Sequence, residues 1–305
     1  MKKHPRKSDW NILQRYEHHL REVVGLTPKT CQNHLRDVRS FLEAAKIGRT
    51  AELAAMKAVQ ITGYLSARSV DYTPASLRQV AGSLRHFLRF AQQQGWTGHS
   101  LGWAVPKIAN RAHYDLPAYL SEPQLELLLA SWDQSTAEGQ RDRALALCLA
   151  RLGLRAGELA ALLLEDLNWR QGRIRLSQSK NGHAAELPLL SEVGEAMADY
   201  LRTGRPACSH RQVFVFDQPP RPMTAQAISR VIARALQRCG IEVPRPGAHL
   251  LRHTLASHLV QREAGLKEVA DLLRHRHLNS ASVYAHVDLP HLRLLAQPWP
   301  QEVTR

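Results

Sequence analysis

Apolar positions along this chain recur mostly at helical spacing, and the punctuation between them falls into two blocks. Ser8 caps a first predicted helix through Leu13, Tyr16 and Leu20 that stops near Gly25. Thr27-Pro28 opens a second, with a capping hydroxyl followed by a ring that fits the first helical position. In it Cys31, Leu35, Val38, Leu42 and Ala45 share one face, while Lys29, Arg36 and Arg39 point elsewhere. A third helix is expected over Val59 to Ala67. Thr73-Pro74 repeats the same start, and Leu77, Val80, Leu84, Phe87, Leu88 and Ala91 make an apolar stripe that ends before Gly95. Residues 1–95 therefore read as a small all-α domain with basic outer faces.

The periodicity fades from Trp96 to Leu120. Pro106, Pro117 and the basic run from Lys107 to His113 suggest a linker over 96–120 that follows DNA, although a plain surface loop fits nearly as well. Ser121-Glu122-Pro123 then opens a second domain, 121–305. Arg141 to Leu152 is strongly apolar and helical, and Gly153 ends or kinks it. The next helix carries Arg155, Glu158, Leu159 and Leu162. Ile174 and Leu176 alternate with Arg173 and Arg175 as in a half-buried strand, and Lys180-Asn181-Gly182 signals a hairpin returning through Glu186 to Leu189. Val213 to Phe216 gives one more short strand. Thr224 to Cys239 is a helix with Gly240 as its stop, and the remainder is helical, broken at Gly265, near Asn279 and at Pro290. The fold class expected is mainly α with one small β-sheet.

Charge narrows the class of partner. Lys and Arg number 41 against 27 Asp and Glu, a formal charge of +14 spread along the 305 residues, and a folded protein so basic most often meets nucleic acid. The four cysteines, Cys31, Cys148, Cys208 and Cys239, form no C-x-x-C pair and fit buried or incidental thiols in a reducing compartment. No apolar run is long enough to span a membrane and no apolar leader follows the basic N-terminus, so a cytoplasmic protein is expected.

Candidate chemistry gathers between His249 and Tyr284. His249 and Arg252 are three apart on one helical face, within reach of a single small anion. His249 and His253 raise a zinc reading, but Leu250 stands where a metalloprotease pair has Glu, and His275 with His277 completes no ligand set; no metal or other cofactor is expected. Taken singly, Arg155 with Glu158 is an ordinary helical ion pair, Lys180 a solvated hairpin tip and Tyr284 a half-buried aromatic. Their order and spacing say more. Arg155 in G-L-R-A-G-E-L, Lys180 before an L-P-L return, H-L-L-R-H-T from His249, and L-L-R-H followed nine residues after His275 by Tyr284 resemble the tyrosine recombinase (phage integrase) family in its compact Xer-like form. The N-terminal helices look like that family's SAM-like core-binding domain.

The resemblance implies a site-specific recombinase. Tyr284 would attack a DNA phosphate, leaving a 3′-phosphotyrosyl bond and a free 5′-hydroxyl. Arg155 and Arg252 would clamp that phosphate, with Lys180 as general acid, His249 assisting proton transfer, His275 donating to a non-bridging oxygen and Glu158 as the acidic buttress. It further implies double-stranded DNA with an inverted-repeat core site held in a C-shaped clamp, four protomers on two duplexes, and in some cases a partner recombinase. A free tyrosine, with a pKa of about 10, needs such a cationic surround, and one lost donor costs about 3–4 kcal/mol of barrier. The biological role stays open between moving a mobile element and resolving replicon dimers. Two rivals stand beside it: a type IB topoisomerase-like nicking-closing enzyme, and a non-catalytic DNA-binding protein retaining the fold. One departure stands out. Where the family usually has Gly, Arg274 precedes His275, at a helix end that tends to be left-handed; a phosphate contact is the role it suggests.

Overall fold

A computed structural model of the chain describes residues 9–98, 100–109, 118–176 and 185–274. It divides into two compact units, Met1–Tyr114 and Asp115–Arg305.

The first unit is built from α1 (Asp9–His18), continued by a π-helical turn at His19–Val23, then α2 (Pro28–Ala44), a short α3 (Thr50–Ala54), α4 (Ala58–Ser69) and α5 (Pro74–Gln93). Both Thr-Pro starts fold as expected. The Thr27 hydroxyl accepts from the Thr30 amide and the Thr73 hydroxyl from the Ser76 amide, and each proline occupies the first turn. The apolar stripes of α2 and α5 meet in a core with Ile12, Tyr16, Leu20, Phe41, Leu84 and Phe87. Each large side chain so buried contributes about 1.5–3 kcal/mol. Lys29, Arg36 and Arg39 are exposed, as the helical spacing requires. Asp37 is an unexpected buried charge on α2; Ser83 donates to it at 2.9 Å and Arg36 at 2.8 Å.

The stretch beginning at Trp96, expected to open an extended linker, packs into this same core. Trp96, Leu101, Ala104 and Val105 are buried there, with Trp96 edge-on to Phe90 at 5.3 Å. Arg85 and Arg78 of α5 hold the carbonyls of Pro106 and Ala109. The periodicity fades at 96 because these residues are buried by irregular chain and a single 3-10 turn at Gly102–Ala104 rather than by an α-helix.

The second unit orders as α6 (Glu122–Ala130), α7 (Ala137–Leu152), α8 (Ala156–Ala161), β1 (Leu167–Asn168), β2 (Arg173–Leu176), β3 (Ala185–Pro188), α9 (Ser191–Asp199), β4 (Val215–Phe216), β5 (Arg221–Pro222), α10 (Ala225–Arg238), α11 (Ala248–Gln261) and α12 (Leu266–Leu272). Helix α7 is nearly encased: Ala144 through Ala150 are all buried, which explains its continuous apolar run. Strands β1, β2 and β3 form one antiparallel sheet with Ile174 opposite Leu187 and Arg175 opposite Glu186, and β2 alternates exposed and buried as read from the sequence. Strands β4 and β5 pair in a second, two-stranded antiparallel sheet where a single sheet was expected, because the two-residue strands β1 and β5 carry no legible pattern. Thr224 caps α10 through the Ala227 amide, and Ser121 caps α6 through the Gln124 amide. All four cysteines are free.

Candidate active site

Helix α7 ends at Gly153, whose φ of 58° turns the chain left-handed. The turn exposes the Gly153 carbonyl and leads straight into Arg155, the extended residue that caps α8. Arg155 and Glu158 are therefore not neighbours along one helical face. The Glu158 carboxylate reaches back over the first turn, taking the Arg155 amide at 2.9 Å on one oxygen and its guanidinium at 2.7 Å on the other. Side chain and backbone of one residue are locked by one carboxylate.

Arg252 comes in from α11. It is almost fully buried, and its two terminal nitrogens donate to the Gly153 and Leu273 carbonyls. Leu273 and Arg274 form the turn that ends α12. The Arg274 carbonyl accepts from Arg155 at 3.3 Å, so two arginines from different helices rest on adjacent carbonyls of one turn. The left-handed bend expected before His275 is present, with Arg274 at φ 53°, which costs a non-glycine residue about 1–2 kcal/mol.

The Arg274 side chain does not extend outward as a phosphate contact would. It folds inward and donates to the second Glu158 oxygen at 3.0 Å, to the Gly153 carbonyl at 3.3 Å and to the Leu272 carbonyl at 3.1 Å. Its Nε is buried without a hydrogen-bond partner among the described residues, a cost of roughly 1–3 kcal/mol. Burial pulls its guanidinium down from the ordinary value and Glu158 opposes that shift. Glu158 itself is buried, which alone would raise its pKa. The Arg155 amide, the Arg274 charge and the Arg155 guanidinium outweigh burial, so the carboxyl is held below its usual range and stays ionised.

His249 opens α11 one turn before Arg252. Loss of water around the ring lowers its pKa, and the Arg252 and Arg155 charges push it the same way, so the imidazole is neutral at pH 7. A neutral imidazole beside two guanidiniums can accept a proton. The other histidine of the rejected zinc pair, His253, meets His249 edge to face at 4.2 Å.

Thus Arg155, Glu158, His249 and Arg252 are brought together from α8, its cap and α11. Lys180, His275 and Tyr284 lie outside the described residues, as do Asn181-Gly182 and the tail after Tyr284. Sequence reasoning missed the carbonyl shelf of Gly153, Leu273 and Arg274, because backbone acceptors leave no side-chain signature. It also missed the inward turn of Arg274, for which the non-glycine residue before His275 was the available signal.

The chain has clear relatives among known proteins. The model of the phage integrase family matches residues 118–291, and that of the phage integrase N-terminal SAM-like domain matches 13–95. The integrase/recombinase y4rA of Sinorhizobium fredii is 38% identical over 292 residues, covering 95% of this chain and 71% of that protein. The tyrosine recombinase XerD of Listeria innocua is 29% identical over 285 residues, 91% of this chain and 94% of its own. Among solved structures, a lambda integrase (75–356) dimer bound to a COC′ core site superposes with a TM-score of 0.71 at 20% identity, covering 96% of this chain and 99% of that one. XerH bound to a palindromic difH substrate gives 0.70 at 18% identity, covering 98% and 99%. The fold is shared with both. The chain belongs to the phage integrase family: it is a tyrosine recombinase, an enzyme of site-specific DNA recombination.

Proposed function

We propose that this recombinase carries out its chemistry with Tyr284 as nucleophile and with Arg155, Arg252, Lys180, His249 and His275 around the scissile phosphate. The Tyr284 hydroxyl oxygen bonds to phosphorus and gives up its proton, for which the neutral His249 is a suitable acceptor. The bond from phosphorus to the 5′-oxygen breaks, and Lys180 supplies the proton that leaves with it. The 3′-phosphotyrosyl ester keeps the energy of the phosphodiester, so the reverse sequence rejoins a strand. Arg155 and Arg252 stabilise charge developing on the non-bridging oxygens, the largest electrostatic contribution such a site offers. Glu158 holds Arg155 in place.

The observation that carries this reading is the convergence of Arg155 and Arg252 on the carbonyl turn that immediately precedes His275. Double-stranded DNA with an inverted-repeat core is the substrate, acted on by four protomers across two duplexes in the cytoplasm. To test it, the protein is incubated with sheared genomic DNA of its source, covalent adducts are trapped under denaturing conditions, and the attached 3′ ends are sequenced. Adducts at one or a few inverted repeats, absent with Tyr284→Phe, are expected, and the genomic context of those sites separates a mobile-element role from dimer resolution. Scattered adducts indicate the nicking-closing alternative, and none at all either a recombinase that needs a partner protein or a DNA-binding protein without chemistry.

A further inference from the structure

Arg274 is an expensive residue where it stands. Its backbone takes a left-handed conformation that disfavours a side chain, its guanidinium is withdrawn from water, and its Nε has no hydrogen-bond partner among the described residues. Such costs gathered at one residue beside a catalytic arginine point to use rather than to stability.

Charge supplies the use. A buried Glu158 facing Arg155 alone makes a neutral pair, and a neutral pair draws a phosphate weakly. Here Glu158 divides its oxygens. Oε1 takes Arg155 at 2.7 Å, while Oε2 takes Arg274 at 3.0 Å as well as the Arg155 amide. Two guanidiniums and one carboxylate leave the group with one net positive charge. Of the two arginines, Arg155 has the more exposed side chain, 27% against 12%, so the uncancelled charge is presented to solvent by Arg155. The Arg274 carbonyl meanwhile accepts from Arg155, so backbone and side chain of residue 274 act on the same pair.

We infer that Arg274 is a positioning residue for the phosphate clamp: its guanidinium offsets Glu158 from behind, leaving the charge of Arg155 available to the scissile phosphate. The inference rests on the catalytic reading above. It requires that Arg274 act through charge, with Glu158 as the intermediary, and that distinguishes it from a residue that merely fills space.

The test is the initial rate of trapped covalent adduct on genomic DNA for Arg274→Met, Arg274→Lys and the double variant Arg274→Met with Glu158→Gln, each corrected for folded fraction by circular dichroism. Arg274→Met should slow adduct formation by about tenfold or more, the usual effect of removing a group that orients a catalytic side chain. Arg274→Lys should keep most of the rate. Adding Glu158→Gln to the Met variant removes the carboxylate that Arg274 had offset, so the double variant should be faster than Arg274→Met alone. A Met variant within twofold of the natural chain overturns the inference, and so does a double variant no faster than the single one, since packing alone predicts no rescue. If the natural chain itself gives no Tyr284-dependent adduct, the catalytic reading fails and takes this inference with it.

Discussion

Replacing Gly153 by alanine separates backbone strain from crowding at the turn that leads into Arg155 and accepts from Arg252. Gly153 and Gly172 have nearly the same positive φ, 58° and 60°, in the same unit. An alanine at either position meets the same left-handed penalty of about 1–2 kcal/mol, partly offset by about 0.4–1 kcal/mol from a less flexible unfolded chain. Their surroundings differ. Around Gly172 an added Cβ meets nothing within 4 Å, whereas at Gly153 it falls 2.8 Å from Leu273 Cδ2 and 3.0 Å from Leu255 Cδ2. Leu273 is fully buried and has little room to retreat, so overpacking adds about 1–3 kcal/mol at Gly153 alone. Urea denaturation of the two variants reads the difference: with a slope of about 1–3 kcal/mol per molar, the Gly153→Ala midpoint should lie about 1 M below that of Gly172→Ala. Since Leu273 also offers its carbonyl to Arg252, Gly153→Ala should lose adduct-forming activity while Gly172→Ala keeps it. Equal midpoints for the two variants would refute the reasoning, because they would mean that the turn has room the structure denies.

Other outcomes follow from the charges. Glu158→Ala strips the carboxylate from a buried guanidinium and should cost the second unit about 3–5 kcal/mol, seen as a lower urea midpoint. Because the folded pKa of Glu158 is depressed, its stabilisation is complete above the unfolded value of about 4.3 and is lost as pH falls through the lower folded value; the natural chain, but not Glu158→Gln, should show that acid loss. In the first unit the Tyr16 hydroxyl lies 3.1 Å from Nδ1 of both His34 and His86. Desolvation lowers both histidines; Asp37 opposes this at His34, while His34, His19 and Arg89 add to it at His86. Both are neutral in the fold, so stability should fall as pH drops below about 6.5, and NMR titration should find both imidazoles below that ordinary value.

Much of this was legible because it lies in side-chain spacing. The two Thr-Pro starts, the stripe of α5, the alternation of β2 and the stop of α10 are local patterns whose physics is decided within a few residues. The His249–Arg252 pair was legible for the same reason. What was not legible depends on chain far away. The burial of Trp96 and Val105 needs the helical core they pack against, and Asp37 needs Ser83 on another helix. Arg155 and Glu158 were recognised as a pair, but as helical neighbours; the cap geometry that joins them depends on the turn at Gly153. Residue 274 was singled out because it is not glycine, yet its inward path is set by Glu158, more than a hundred residues earlier. Spacing names the groups; only the fold says which way they turn.

The proposed chemistry joins Tyr284 to DNA within the charge field of Arg155 and Arg252. The direct measurement is to digest the trapped adduct with nuclease and protease and identify the nucleotide-bearing peptide by mass spectrometry. One modified peptide is expected, carrying a 3′-phosphonucleotide on Tyr284, with adduct yield sharply reduced in Arg155→Ala and Arg252→Ala. A nucleotide on any other residue, or an undiminished yield in both arginine variants, would contradict it.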